Sequence, residues 1–139
     1  MRNRLVSVAC LVALTCALAT VHAQRPRPAR PDLIIREYQF APTNDKGLRV
    51  RVANIGTLAA GASVLRLTIR KINGASVART MDMPTAAIPA QSDVWVTFIA
   101  DGILPKDVDI KNTTFKLNAD ATTVVSESNE TNNEKWHNL

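Results

Sequence analysis

Ala119-Asp120-Ala121-Thr122-Thr123-Val124-Val125-Ser126-Glu127-Ser128-Asn129-Glu130-Thr131-Asn132-Asn133-Glu134 follows directly on an alternating run, Thr114-Phe115-Lys116-Leu117-Asn118-Ala119. Side chains alternate faces along a strand, so Phe115, Leu117 and Ala119 point to a core while Lys116 and Asn118 point to water. The carboxylates and amides that follow stand where a hairpin turn belongs. Asn and Asp bond their own backbone in turns, which gives the cluster a structural reading. Only Asn133 to Asn138 remain for a last, short strand.

Working upstream, the same period of two recurs. Asp93 to Ile99 reads as a strand with Val94, Val96 and Phe98 inward and Trp95 outward. Pro84 and Pro89 bracket an irregular crossing before it, and Asp101-Gly102 and Pro105 to Ile110 form turn and loop after it. Leu65, Leu67 and Ile69 line one face of a strand, Arg66 and Arg70 the other, and Asn73-Gly74 predicts a type I′ hairpin into Ser76–Met83. Leu48, Val50 and Val52 alternate with Arg49 and Arg51, and Asp32 to Phe40 is rich in β-branched and aromatic residues. About seven short strands without a helical period predict an all-β, immunoglobulin-like antiparallel β-sandwich.

The first residues are of another kind. Arg2 and Arg4, an apolar run from Leu5 to Ala19 and the small-residue site Val21-His22-Ala23 have the layout of a helical signal peptide, with cleavage expected after Ala23. The expected organisation is a signal peptide over 1–23, a Pro/Arg-rich extended lead-in over 24–31 and one sandwich domain over 32–139. Both cysteines, Cys10 and Cys16, fall in the removed segment, so the sandwich would be held by its core alone. Export without cysteines points to a bacterial periplasmic or secreted protein. The formal charge of +5 becomes +3 once Arg2 and Arg4 leave, 15 basic against 12 acidic residues. Basic residues concentrate before residue 80 and acidic ones after it, an asymmetry that can steer a charged partner. No helix concentrates the arginines, so nucleic acid is not an expected partner.

Four segments carry a family resemblance: Pro31-Asp32-Leu33, Val50-Arg51-Val52-Ala53-Asn54-Ile55-Gly56, Ile88-Pro89-Ala90-Gln91-Ser92, and the Glu127-Ser128-Asn129-Glu130-Thr131-Asn132-Asn133 string. Together they resemble the bacterial cell-adhesion-related (CARDB) domain over nearly all of residues 31–139. The resemblance implies an immunoglobulin-like sandwich in exported proteins linked to adhesion or surface binding. Two positions depart from the family's pattern: Gln91 stands where Gly is usual, and the last strand is shorter.

Catalysis lacks its parts. After signal cleavage one histidine, His137, remains, with no thiol and no Gly-x-Ser-x-Gly elbow, and the Asp107/Asp109 pair sits in a loop. The acidic turn offers oxygen ligands in Asp120, Glu127, Asn129, Glu130, Asn132 and Glu134, a set that calcium could use, although the glycine of an EF-hand loop is missing. The self-bonded turn is the favoured reading. Trp95, Arg49, Arg51, Arg66 and Arg70 are the candidate partner contacts, whether or not the arginine rows form one patch. The expected function is a non-enzymatic, exported binding or adhesion module that contacts a protein or a cell-surface polymer. The alternatives are a subunit that self-assembles through the open edge of its last strand, and a calcium-stabilised accessory to a partner enzyme.

Overall fold

The structure, a computed structural model, describes residues 28–139, and the expected signal peptide over 1–23 and residues 24–27 of the expected lead-in lie outside that range. Seven strands are formed: β1 (Leu33–Phe40), β2 (Gly47–Asn54), β3 (Ser63–Ile72), β4 (Ala75–Thr85), β5 (Ser92–Ile99), β6 (Thr113–Asn118) and β7 (Glu134–His137). Two sheets result, ordered β1-β2-β5 and β4-β3-β6-β7, and every pairing is antiparallel. In the constant-type immunoglobulin sandwich the fourth strand lies with the first, second and fifth. Here β4 stays hairpin-bonded to β3. The turn between them shows why: Asn73 and Gly74 both have positive φ, 47° and 79°, as the type I′ geometry requires.

The period-two pattern sets the core. Leu33, Leu48, Val50, Val52 and Phe98 of the first sheet face Leu65, Leu67, Ile69, Phe115 and Leu117 of the second, all essentially without solvent contact. Leu104, Val108 and Ile110 close one end of this layer and Ala60 and Ile88 the other, where they pair across an isolated bridge. The buried ammonium of Lys46 donates to the carbonyls of Pro105 and Val108 and so holds the β5–β6 connection in place. Asp109 caps a short 3-10 turn by accepting from the Lys111 N–H at 2.9 Å, which makes it a structural carboxylate.

One expectation needs correction, and one open point is decided. The irregular crossing does not begin at Pro84, because β4 runs on to Thr85 with Pro84 opposite Val64. Proline is tolerated there since β4 is an edge strand, and a missing N–H on its open side breaks no ladder bond. The arginine rows do not form one patch: Arg49 and Arg51 stand on β2, Arg66 and Arg70 on β3, in different sheets with opposite outer faces.

Gln91 has φ 57°, in the left-handed region. That backbone favours glycine, which explains the residue usual in the resembled pattern. In this chain the glutamine side chain compensates by donating to the Ile55 and Gly56 carbonyls at 2.7 and 2.8 Å.

Candidate functional site

All four motif segments meet at one end of the sandwich, around the first residue of β1. Asn54, at the end of β2 and 1% exposed, accepts from the N–H groups of Asp32 and Gly56, both at 3.0 Å. Its amide donates to the carbonyls of Leu58 at 2.7 Å and Ile88 at 3.1 Å. The carbonyls of Arg30 and Asp32 accept from Thr57 and Ile55. From the other sheet, the Ser128 N–H donates to the Pro31 carbonyl at 2.9 Å, and the Ser128 hydroxyl and Asn132 amide each reach the Asp32 carboxylate at 2.8 Å. Residues 30–33 are therefore gripped from both sheets, and the end of the lead-in is a fixed part of the fold. An open cleft above this clasp is lined by Pro28, Arg30, Ile55 and Thr57.

Glu127 is the deepest member of the clasp, 2% exposed. Its Oε2 accepts from the Leu33 N–H at 2.5 Å and its Oε1 from the Asn133 amide at 2.9 Å. Burial pushes its pKa up to about 7, and the nearby carboxylates of Glu130 and Asp120 push the same way against those two hydrogen bonds. A raised carboxyl pKa means the folded state binds the proton more tightly than the unfolded chain. The associated stability is fully present below about pH 4.5 and is lost as pH rises through about 7. Wild-type protein should thus lose about 2 kcal/mol of unfolding free energy between about pH 5 and 7.5, with that slope absent in Glu127→Gln. Denaturant melts across the range check this, and equal slopes in the two proteins would refute it. The acids held below their usual range, Asp82 and Asp93 by their hydrogen bonds to Arg66 and Arg51, act at lower pH and leave the window clear.

Of the oxygen ligands expected of the acidic turn, Asp120, Glu127, Asn129, Glu130 and Asn132 lie in the long β6–β7 connection, and all of these but Asn132 accept from protein donors. The Asp120 carboxylate, on a residue with φ 47°, accepts from Val124 and Val125 N–H at 3.1 and 2.8 Å. Glu130 accepts from the Glu127 N–H at 2.8 Å, and Asn129 Oδ1 from the N–H and hydroxyl of Thr131. Glu134 has left the loop for β7 and pairs with Lys116 at 2.6 Å. Among the described residues no three acidic, His or Cys side chains converge as a set able to hold a metal ion. The self-bonded turn is half the account, since Glu127, Ser128 and Asn132 reach about 95 residues back to β1.

On the outer face of the three-stranded sheet, Arg51 lies opposite Trp95 across the β2–β5 ladder. The guanidinium of Arg49 sits 4.8 Å over the Trp95 ring and that of Arg51 5.9 Å. Arg51 is also bonded to Glu37 at 3.0 Å and Asp93 at 2.8 Å, so its charge is met within the sheet, while Arg49 faces the ring alone among the described contacts. Trp95 is 37% exposed. Arg66, on the other sheet, is forked onto Asp82 at 2.7 Å, and Arg70 is exposed beside the β3–β4 turn. Trp95, Arg49 and Arg51 come together, and Arg66 and Arg70 do not join them.

His137, the one histidine among the described residues, is a packing residue. Its ring stacks on Phe115 at 4.8 Å beside Tyr38 and Phe40. Nε2 lies 3.1 Å from the Lys111 carbonyl, which can only accept, so Nε2 carries the proton and the Tyr38 hydroxyl donates to Nδ1 at 3.0 Å. This cluster pins the short β7 against β1. Sequence reasoning missed it, as it missed the roles of Asn54 and Lys46, because each depends on partners 20 to 100 residues away.

Comparison with known proteins gives the same picture. The CARDB family model matches residues 30–137. Among solved structures, the crystal structure of the CARDB domain of a Pyrococcus furiosus protein in complex with di-metal ions is 18% identical, with a TM-score of 0.54, covering 77% of this chain and 84% of that one. The solution structure of a domain of a Methanosarcina acetivorans protein, described as a cell surface protein, is 20% identical, with a TM-score of 0.55, covering 77% and 88%. No curated protein matches the chain.

Proposed function

This chain belongs to the CARDB family, and from that premise we propose that it is an exported, non-enzymatic binding module of the adhesion type. Its contact face is the outer surface of the β1-β2-β5 sheet around Trp95 and Arg49. The observation that carries this reading is the exposed Trp95 ring held by two guanidinium groups on a rigid sheet. An aromatic ring that is already ordered loses little entropy on binding, and Trp and Arg dominate contact energetics at interfaces. The partner is a protein or a surface polymer of the cell envelope, reached from the periplasm or the medium. Co-sedimentation of the purified protein with isolated envelope tests this. Trp95→Ala and Arg49→Glu are each expected to weaken retention about tenfold or more with melting temperature near wild type. Undiminished retention of both variants would sink the reading.

A second reading, a cation at the β6–β7 connection, is favoured by Asn132 and Asn133, whose Oδ1 atoms are buried without a hydrogen-bond donor. The Pyrococcus domain's di-metal complex supplies the analogy. On this reading, calcium at about 100 times its Kd raises unfolding free energy by about 2.7 kcal/mol, visible as a higher melting temperature. An unchanged melting temperature in millimolar calcium leaves a clasp made of protein groups alone.

A further inference from the structure

Each sheet has two edges, and three of the four edge strands carry a feature that discourages pairing. β4 contains Pro84 and an irregular register beside Ile69/Lys71. β1 is bulged between Ile35 and Glu37, and the Lys135 ammonium covers its Arg36 carbonyl at 2.9 Å. β7 is four residues long and includes Lys135. β5 has no such feature: it pairs with β2 in unbroken register from Ser92 to Ile99 and contains no proline and no lysine. A long, regular edge without proline or lysine, whose one charged residue, Asp93, is bonded to Arg51 of its own sheet, is a template for another strand.

The ladder phase shows which groups are free. The Ala100 N–H donates to the Lys46 carbonyl at 3.0 Å, so the even-numbered residues of β5 turn their N–H and C=O groups to β2. Those of Asp93, Trp95, Thr97 and Ile99 therefore point to the open side. The same four side chains stand on the outer face, where Trp95 is 37% and Ile99 52% exposed.

We propose that the β5 edge is a homodimer interface, in which two copies pair antiparallel about Thr97 and join their β1-β2-β5 sheets into one six-stranded sheet. A two-fold axis at Thr97 sets Thr97 against Thr97 of the partner subunit and Trp95 against Ile99 of the partner subunit. All are residues with free backbone groups, so each pair exchanges two hydrogen bonds. The apolar side chain most exposed on β5 is thereby covered by the tryptophan, an aromatic–aliphatic cross-strand pair. Moving the axis to Val96 would place Ile99 against Asp93 and Trp95 against Thr97, leaving apolar surface opposite polar groups. The Thr97 register is therefore favoured. Asp93 stays with its own Arg51, and the register carries it past the end of the facing β5 to the height of Asp101 of the partner subunit, in the exposed 3-10 turn after Ile99. The arrangement is isologous and closes on itself, so it ends at two subunits.

The interface shares Trp95 with the envelope-binding face but rests on the free backbone of β5, and neither the Arg49 contact nor the Thr97 axis is common to both. Sedimentation equilibrium of the purified protein, up to hundreds of micromolar, is expected to show a monomer–dimer equilibrium. Thr97→Lys sets two ammonium groups face to face at the axis and is expected to raise the dissociation constant about fivefold. Thr97→Cys is expected to give a covalent dimer on oxidation, since opposed residues at about 5.5 Å between Cα atoms lie within disulfide reach. Wild type, whose two cysteines Cys10 and Cys16 both lie in the segment expected to be removed, is the control, and this arm holds even if the lysine variant folds poorly. A wild-type monomer throughout the range, a dimer untouched by Thr97→Lys, or no Thr97-dependent cross-link would each overturn the proposal. Envelope retention by a strictly monomeric protein would leave the binding role standing and remove the dimer.

Discussion

Asn54→Ala is expected to lower unfolding free energy by about 3–4 kcal/mol, one of the two largest effects of any single change outside the apolar core. Asn54 is 1% exposed and bonds groups from three separate stretches: the Asp32 N–H, the Gly56 N–H and the Leu58 and Ile88 carbonyls. Alanine leaves those backbone groups without their partner in a place water reaches poorly. A buried polar group left unsatisfied costs roughly 1–3 kcal/mol. Not every loss counts in full, because the Ile88 carbonyl keeps the Ala60 N–H and the edge of the knot can admit water. Urea melts at one pH measure the change directly. A loss below about 1 kcal/mol would mean that the knot rearranges at little cost, and that Asn54 is a surface-type asparagine in energetic terms.

Gly56→Ala should cost about 3 kcal/mol for a different reason. A Cβ placed on Gly56 would sit 2.3 Å from the Arg30 carbonyl oxygen, 2.5 Å from the Asp32 nitrogen and 2.5 Å from the Pro31 carbonyl carbon. All three are backbone atoms, so no side chain can swing away and the lead-in itself must move. Moving it breaks the Thr57–Arg30 and Ile55–Asp32 backbone bonds and draws Asp32 away from Ser128 and Asn132. Overpacking against a well-ordered site typically costs 1–3 kcal/mol, and the upper end applies where backbone must give. Gly61, with open space around its Cα, is the matched control: Gly61→Ala should change stability by less than about 0.5 kcal/mol. Asn54→Ala and Gly56→Ala act on one knot, so the double variant should fall short of the sum. Strict additivity would show that the lead-in and the β2–β3 loop are held separately.

Much of the scaffold was readable from local pattern. Leu48/Val50/Val52, Leu65/Leu67/Ile69 and Phe115/Leu117 announced their strands by alternation, and Asn73-Gly74 announced its turn by requiring positive φ twice. Each is a property of neighbours in sequence. Pro84 was misread because a proline reads as a breaker until the strand is known to lie at an edge. The candidate contact face was half legible. Period two turned Trp95 outward, but only strand order could put Arg49 and Arg51 beside it and send Arg66 and Arg70 to the far sheet.

The acidic turn shows where the boundary falls. The sequence by itself determined an all-β sandwich of about seven strands, the faces of its residues and the place of this turn, because hydrophobic period and turn chemistry act over a few residues. Tertiary structure alone decided what Glu127, Ser128 and Asn132 do, since their partners lie at Asp32 and Leu33. It also decided the sheet that β4 joins and the edge left unprotected at β5. A carboxylate in a loop carries no local sign of burial or of the N–H group it will meet. Both follow from how two sheets close on each other.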